Sequence, residues 1–265
     1  MTNKPVTNKP VIELQVQAIV IDIEGTVSSI QFVHEVMFPF ASQAAEQFLQ
    51  ERWEDAEVQQ AIDQMAKDWA GKTSFSTPLD DGNWRWNSEV PATGRPMAVS
   101  QWVRQLIADD SKTTGLKHLQ GMIWKDGFHA GLLTAPLFPD VPPALQRWSD
   151  QGLQLAVYSS GSIAAQKLFF QHTNSGNLLS LFSSHFDTTT GGKRASSSYR
   201  AIAERMGRDA CQLLFLSDVY EELTAAKEAG WQAIAVVRPG NAPLPQNCSI
   251  PAIQSFDELV VSATR

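Results

Sequence analysis

Apolar residues fall in two rhythms along the chain. Ala18-Ile19-Val20-Ile21 is an unbroken apolar run, short enough to be a strand buried on both faces. It ends on Asp22-Ile23-Glu24-Gly25-Thr26. Helical spacing then takes over: Glu35-Val36-Met37-Phe38 begins it and Ala44-Ala45-Glu46-Gln47-Phe48-Leu49 continues it. Val58, Ala61, Ile62 and Met65 stand at i, i+3, i+4 and i+7, one face of a helix. Residues 72–99 are rich in Pro, Gly, Ser and Asp and read as a long loop, after which helical spacing resumes over Ser100–Ala108 and Leu116–Leu133.

From residue 140 onward the rhythm alternates. Helices are predicted over Pro142–Gln151, Ser162–Gln171, Ser197–Met206 and Glu221–Ala229. Between them fall strands at Leu153–Tyr158, near His185–Thr188, at Leu213–Leu216 and at Ala233–Val237. Strands alternating with helices predict a parallel sheet covered on both faces. The first strand precedes the helical stretch and the others follow it. The predicted fold is therefore α/β, a doubly wound, Rossmann-like parallel sheet interrupted by a helical cap domain. Its core spans residues 15–27 and 138–265, and its cap residues 28–137. The opening repeats Thr-Asn-Lys-Pro-Val and lacks the apolar centre of a signal peptide, so residues 1–14 are expected to be a disordered tail.

With 265 residues, 43% of them hydrophobic, the chain has ample material for a buried core. Its net charge of −7 argues against nucleic acid or an anionic membrane as the main partner. Only two cysteines occur, Cys211 and Cys248, too few for a disulfide framework, which fits a cytoplasmic setting. Cys211, just before a predicted strand, is expected to fill a small core position. Six of the eight tryptophans (53, 69, 84, 86, 102 and 124) lie in the helical stretch; they either pack its interior or wall an apolar ligand.

Candidate chemistry gathers at strand ends, where ligands bind in open α/β sheets. Asp22 there can attack phosphorus as a covalent nucleophile. Glu24, two residues on, can move a proton. The simpler reading of Asp22 and Thr26 is a turn organised by side-chain hydrogen bonds. Ser159-Ser160-Gly161-Ser162 follows an apolar strand and can hold an anion, although a helix cap explains the last serine equally well. Lys193 follows Gly191-Gly192 in a loop; alone it would be merely solvated, but beside the carboxylates it would neutralise them and a phosphate. Asp218 ends the strand Leu213–Leu216 and would complete an oxygen-rich site suited to Mg²⁺.

Asp22, Ser160, Lys193 and Asp218, in that order at strand ends, resemble the haloacid-dehalogenase-like phosphatases. Glu24 within DIEGT narrows the likeness to the enolase-phosphatases (acireductone synthases) of methionine salvage. FVHEVMFPFA (32–41), LKHLQGMIWKDGF (116–128), VYSSGSIAAQKLFF (157–170), HFDTTTGGK (185–193), FLSDVYEEL (215–223) and AVVRPGNAPL (235–244) also resemble that family. The likeness implies a bifunctional enzyme. It would enolise 5-(methylthio)-2,3-dioxopentyl phosphate and then dephosphorylate it to the acireductone. Asp22, Glu24 and Lys193 would be catalytic, and Ser159, Ser160 and Lys193 would bind substrate. One Mg²⁺ would be held by Asp22, Glu24 (through its carbonyl) and Asp218. The enzyme would act as a monomer on a small phosphorylated methylthio-diketone, with neither nucleic acid nor membrane involved. Glu24 and Lys193 are both candidates for the base that enolises. After Lys193 the family's acidic K-x-E-x-E-S-Y pattern is replaced by Arg194-Ala195-Ser196-Ser197-Ser198-Tyr199, so different partners are expected to hold that lysine. The alternatives are a generic small-molecule phosphatase of this fold, or a phospho-acceptor signalling domain, which would not need Glu24 or the insert.

Overall fold

A computed structural model describes residues 11–69, 76–78, 84–86 and 90–263. The chain divides into two compact units: the residues up to Phe32 together with those from Thr134 onward, and Val33–Leu133.

The first unit is built on a sheet of six parallel strands. They are β2 (Ala18–Ile21), β5 (Gln154–Tyr158), β6 (Phe182–Phe186), β7 (Leu213–Ser217), β8 (Gln232–Val236) and β9 (Ala252–Ile253), in the spatial order β6-β5-β2-β7-β8-β9. Every residue of β2 and β7 is buried. Apolar runs without alternation become central parallel strands because both faces are covered. Ala18 and Val20 of β2 share one face with Ala156, Tyr158, Leu213, Phe215, Ala233 and Ala235, packed against α7 (Ser196–Met206) and α8 (Tyr220–Glu228). The remaining α-helices among the described residues of this unit are α5 (Val141–Asp150) and α6 (Ile163–Gln171). The chain leaves β2 for β5 and β6 on one side and returns to β7 and β8 on the other. The carboxyl end of β2 is thus the switch point of the sheet, where such folds bind ligands.

The predicted doubly wound sheet is present: β2 has the expected bounds, most other elements shift by a residue, β6 begins three residues before the expected His185, and β9 was not anticipated. The expected tail of residues 1–14 needs correction at its end. Ile12–Val16 forms a strand, β1, paired in parallel with β10 (Leu259–Ala263) in a separate two-stranded sheet. Ile12, Leu14 and Val16 alternate with Glu13 and Gln15, the period-two signature of a strand. Residues 1–10 lie outside the described residues. Cys211 is exposed rather than in the core, because it sits in a 3₁₀ turn, Ala210–Gln212, before β7 begins.

The second unit holds four α-helices among its described residues: α1 (Phe38–Glu51), α2 (Ala56–Asp68), α3 (Arg95–Ala108) and α4 (Thr114–His129). Val58, Ala61, Ile62 and Met65 of α2 are all buried, in one apolar cluster with Leu49, Val103, Leu119 and Ile123. Much of the predicted 72–99 loop lies outside the described residues. Within it Ser76–Pro78 (β3) and Trp84–Trp86 (β4) pair as antiparallel strands, and α3 starts before residue 99. Both ends of this unit fall inside the anticipated 28–137. Hydrogen bonds from the Ala135 amide to the His172 carbonyl (2.8 Å) and from the Phe138 amide to the Val27 carbonyl (3.0 Å) keep residues 134–138 with the sheet. No helix among the described residues is long and apolar enough to cross a membrane.

Candidate active site

Asp22 is the first residue past β2, and its amide donates to the Leu216 carbonyl of β7 at 2.9 Å. The side chain is 5% exposed. A buried carboxylate is costly unless it is paired. Lys193 supplies the pairing, with Nζ 2.9 Å from Asp22 Oδ1 and 2.7 Å from Glu222 Oε2. Burial would lower the lysine's affinity for its proton, but the two carboxylates more than offset this and hold the ammonium well above its ordinary range. One cation cannot neutralise every acid around it. Glu222 is raised by burial and by the charge of Asp22, while Ser217 Oγ donates to its Oε2 at 3.1 Å. Burial, then the charge of Asp22, pushes Asp218 up to about 7.

The backbone brings these groups together. After Asp22 the chain turns tightly, the amides of Thr26, Val27 and Ser28 all donating to the Ile23 carbonyl. Gly25 adopts φ +70, and a Cβ there would run into the Asp218 carboxylate, so only glycine lets the turn approach that acid. Asn241 Nδ2 donates to the Gly25 carbonyl at 2.8 Å. The Lys193 loop is fastened from behind. Tyr199 donates to the Lys193 carbonyl (2.7 Å), Ser198 to the Gly192 carbonyl (2.8 Å) and Tyr158 to the Gly191 carbonyl (2.9 Å). Hydroxyls on α7 and β5 thus do the fastening in this chain, whose loop lacks the acidic residues after Lys193.

A buried arginine braces the same turn from further off. Arg238 donates to the Thr26 carbonyl (3.0 Å) and, through both terminal nitrogens, to Asp140 (3.0 and 2.8 Å), with the rings of Phe138 and Phe256 beside it. Burial alone would push the Asp140 carboxyl up; the guanidinium and the Phe256 amide hold it below its usual range.

An acid at the end of the first core strand, a lysine bonded to it and a second acid beside it match what the sequence comparisons find. Residues 16–230 match the haloacid dehalogenase-like hydrolase family. Enolase-phosphatase E1 of Drosophila mojavensis is 42% identical over 92% of this chain and 95% of its own length. That of Erwinia tasmaniensis is 44% identical over 84% and 89%. The chain belongs to the enolase-phosphatase E1 family of haloacid dehalogenase-like hydrolases. Among solved structures, the UTR4 protein of Saccharomyces cerevisiae is 30% identical with a TM-score of 0.72, covering 92% of this chain and 99% of its own. CbbY of Rhodobacter sphaeroides, crystallised with phosphate, is 16% identical with a TM-score of 0.56 over 92% of this chain and 96% of its own, and shares the fold.

Within this enolase-phosphatase family member, four sequence candidates sit at carboxyl ends of neighbouring strands or in the loops that follow. They are Asp22 after β2, Ser159 after β5, Lys193 in the loop after β6 and Asp218 after β7. Ser159 is buried, and its amide donates to the Phe186 carbonyl at 3.3 Å; Ser160 is exposed. Glu24 is partly exposed in the turn, its backbone bridged to Ser28. Sequence reasoning missed Glu222, the second carboxylate on Lys193. Its signal was available: an acid one helical turn beyond Asp218, at the start of α8, returns toward the same strand end. Arg238 and Asp140 were also missed, because neither carries meaning until the fold pairs them across 98 positions of sequence.

Proposed function

We propose that this enolase-phosphatase converts 5-(methylthio)-2,3-dioxopentyl phosphate to the acireductone 1,2-dihydroxy-5-(methylthio)pent-1-en-3-one by enolisation and then dephosphorylation. The observation that carries the reading is the buried Asp22 carboxylate at the switch point, bonded to a lysine held charged. Asp22 attacks phosphorus, the ester bond breaks, and the phosphoryl group rests on the Asp22 carboxylate until water takes it. Glu24 protonates the departing oxygen and then accepts the proton of the attacking water. Ser159 and Ser160 bind the phosphoryl oxygens, and Lys193 offsets their charge.

The donors around Asp22 fit Mg²⁺. Asp218 Oδ1 is buried and finds no hydrogen-bond partner among the described residues. Among those residues no three His, Cys, Asp or Glu side chains form a metal cage. A site of few carboxylates, completed by carbonyl, water and substrate oxygens, suits Mg²⁺ better than zinc. Asp22, Asp218 and the Glu24 carbonyl would hold the ion, which when bound supplies positive charge to the dione and phosphoryl oxygens.

The high proton affinity of Lys193 separates the two candidates for the enolising base. A lysine kept charged by two carboxylates is a poor proton acceptor, which favours Glu24 over Lys193 as the group that removes the carbon-bound proton. Incubation with the dioxopentyl phosphate and mass spectrometry of the products tests the assignment. Acireductone together with phosphate is expected. Phosphate with an unenolised dione would reduce the enzyme to a generic phosphatase of the same fold, and a stable phosphoprotein without turnover would point to a phospho-acceptor domain.

A further inference from the structure

Gln166 of α6 is 1% exposed and sits behind the loop that follows β5. Its Nε2 lies 2.9 Å from the Gly161 carbonyl, 2.8 Å from the Phe186 carbonyl and 3.5 Å from the Ser159 carbonyl. A carboxamide nitrogen carries two hydrogens, so Gly161 and Phe186 take the strong bonds and Ser159 at most a shared one. With Nε2 committed to carbonyls, Oε1 must accept, and His185 Nδ1 stands 3.3 Å from it as the donor. His185 is held neutral by burial, its pKa pulled down to about 4, so the bond is made by an uncharged ring.

We infer that Gln166 is a positioning residue that turns the Ser160 and Ser162 amides outward as an anion cradle, deepening the reading of this loop as the phosphoryl-binding loop. In a planar trans peptide the carbonyl and the following N–H point in opposite directions. Drawing the Ser159 and Gly161 carbonyls toward Gln166 therefore turns the N–H groups of Ser160 and Ser162 away from it. Neither amide has an acceptor among the described residues. Two of the adjacent helix amides are already taken, while that of Ala164 has no acceptor among the described residues. Ile163 donates to Asp187 Oδ2 at 3.2 Å and Ala165 to Ser162 Oγ at 3.3 Å. The free donors at this strand end thus include the two that Gln166 sets, and fixed donors bind an anion without the cost of ordering a loop at each turnover.

Inorganic phosphate as a competitive inhibitor of the intact enzyme is the probe. Gln166→Met keeps volume and removes the donor. It should raise the phosphate Ki and the KM for a small phosphate ester about tenfold, while kcat changes less than about threefold. His185→Leu, which frees the carboxamide to rotate, should move Ki the same way by a smaller factor. Ser160→Ala reports on the loop reading itself. If Ser160→Ala raises Ki and a folded Gln166→Met leaves it unchanged, Gln166 merely fills space and the inference falls while the loop reading stands. If neither variant moves Ki, the loop reading falls and takes the inference with it. A fall in kcat or melting temperature with constant Ki also overturns positioning. Should Gln166→Met fail to fold, an unchanged Ki in His185→Leu decides against the inference.

Discussion

The sheet unit and the helical unit bury different kinds of residue. The described interior of Val33–Leu133 is almost wholly apolar, with Ser100 and Gln120 its buried polar side chains. Its ion pairs, such as Arg52 with Asp126 and Arg104 with Glu46, are about a third to a half exposed and worth little individually. The sheet unit buries Asp22, Asp187, Lys193, Glu222 and Arg238, four of them around the β2 strand end or its turn. Burying charge lowers stability unless each group is satisfied, so such a concentration marks where the chain gives up stability for chemistry. The helical unit shows what the same chain does when it has only a core to build.

The first way to break this contrast is at Asp22 itself. Asp22→Asn should lower phosphate release by about a thousandfold or more while leaving circular dichroism unchanged, since an amide is a poor nucleophile. A phosphate-release assay near wild-type rate would erase the special status of the strand end.

Removing one partner from a buried pair and trimming an apolar core should next separate the units. Arg238→Met strands Asp140, which is 10% exposed, and is expected to cost about 3–5 kcal/mol in urea unfolding. It should also slow turnover of a small phosphate ester, because the Thr26 carbonyl loses its donor. Ile62→Ala in α2 should destabilise by a comparable amount, about 2–5 kcal/mol, through a cavity. Its kcat on the same ester, measured well below the melting temperature, should not change. Equal loss of activity in both variants would mean that the two regions do not divide the work.

The positions of Asp22, Ser159 and Asp218 were legible because apolar strand runs announce where they end, and the residues after the run then lie at the sheet's carboxyl end. Lys193, in a loop well past β6, read as solvated by itself and gained meaning only from the motif order that resembles the family. Asp140, Arg238 and Gln166 were not, since their partners lie far along the chain or are backbone carbonyls, which leave no trace in a residue pattern. Trp124 shows the opposite failure. Apolar spacing left it open between core and ligand wall, and the structure places its ring against the helical cluster with Nε1 donating to the Met37 carbonyl at 2.9 Å.

Proton linkage gives an effect, smaller per pH unit, that also separates the units. Asp218 titrates at about 7 when folded, against 3.8 for an unperturbed aspartate. For a raised acid, the stabilising form is the protonated one. Its contribution to the metal-free enzyme is full below about 4 and is lost as pH climbs to about 7. Mg²⁺ needs the carboxylate, so its affinity by calorimetry should rise by up to about tenfold per pH unit over that interval and level off above it. The smallest effect belongs to Trp124. Trp124→Phe loses one hydrogen bond and some packing, about 1 kcal/mol in a thermal melt. KM for the methylthio substrate and for a small ester should stay level with each other; a selective rise for the former would make this tryptophan a ligand wall after all.

Asp22 as the covalent phosphoryl acceptor is the claim on which the rest depends. Rapid acid quench during turnover, followed by peptide mass spectrometry, reads it directly. A phosphoryl adduct on the peptide containing Asp22, formed and lost at rates compatible with turnover and missing from Asp22→Asn, is the predicted result. Steady turnover with no adduct at any quench time, together with an active Asp22→Asn, would contradict it.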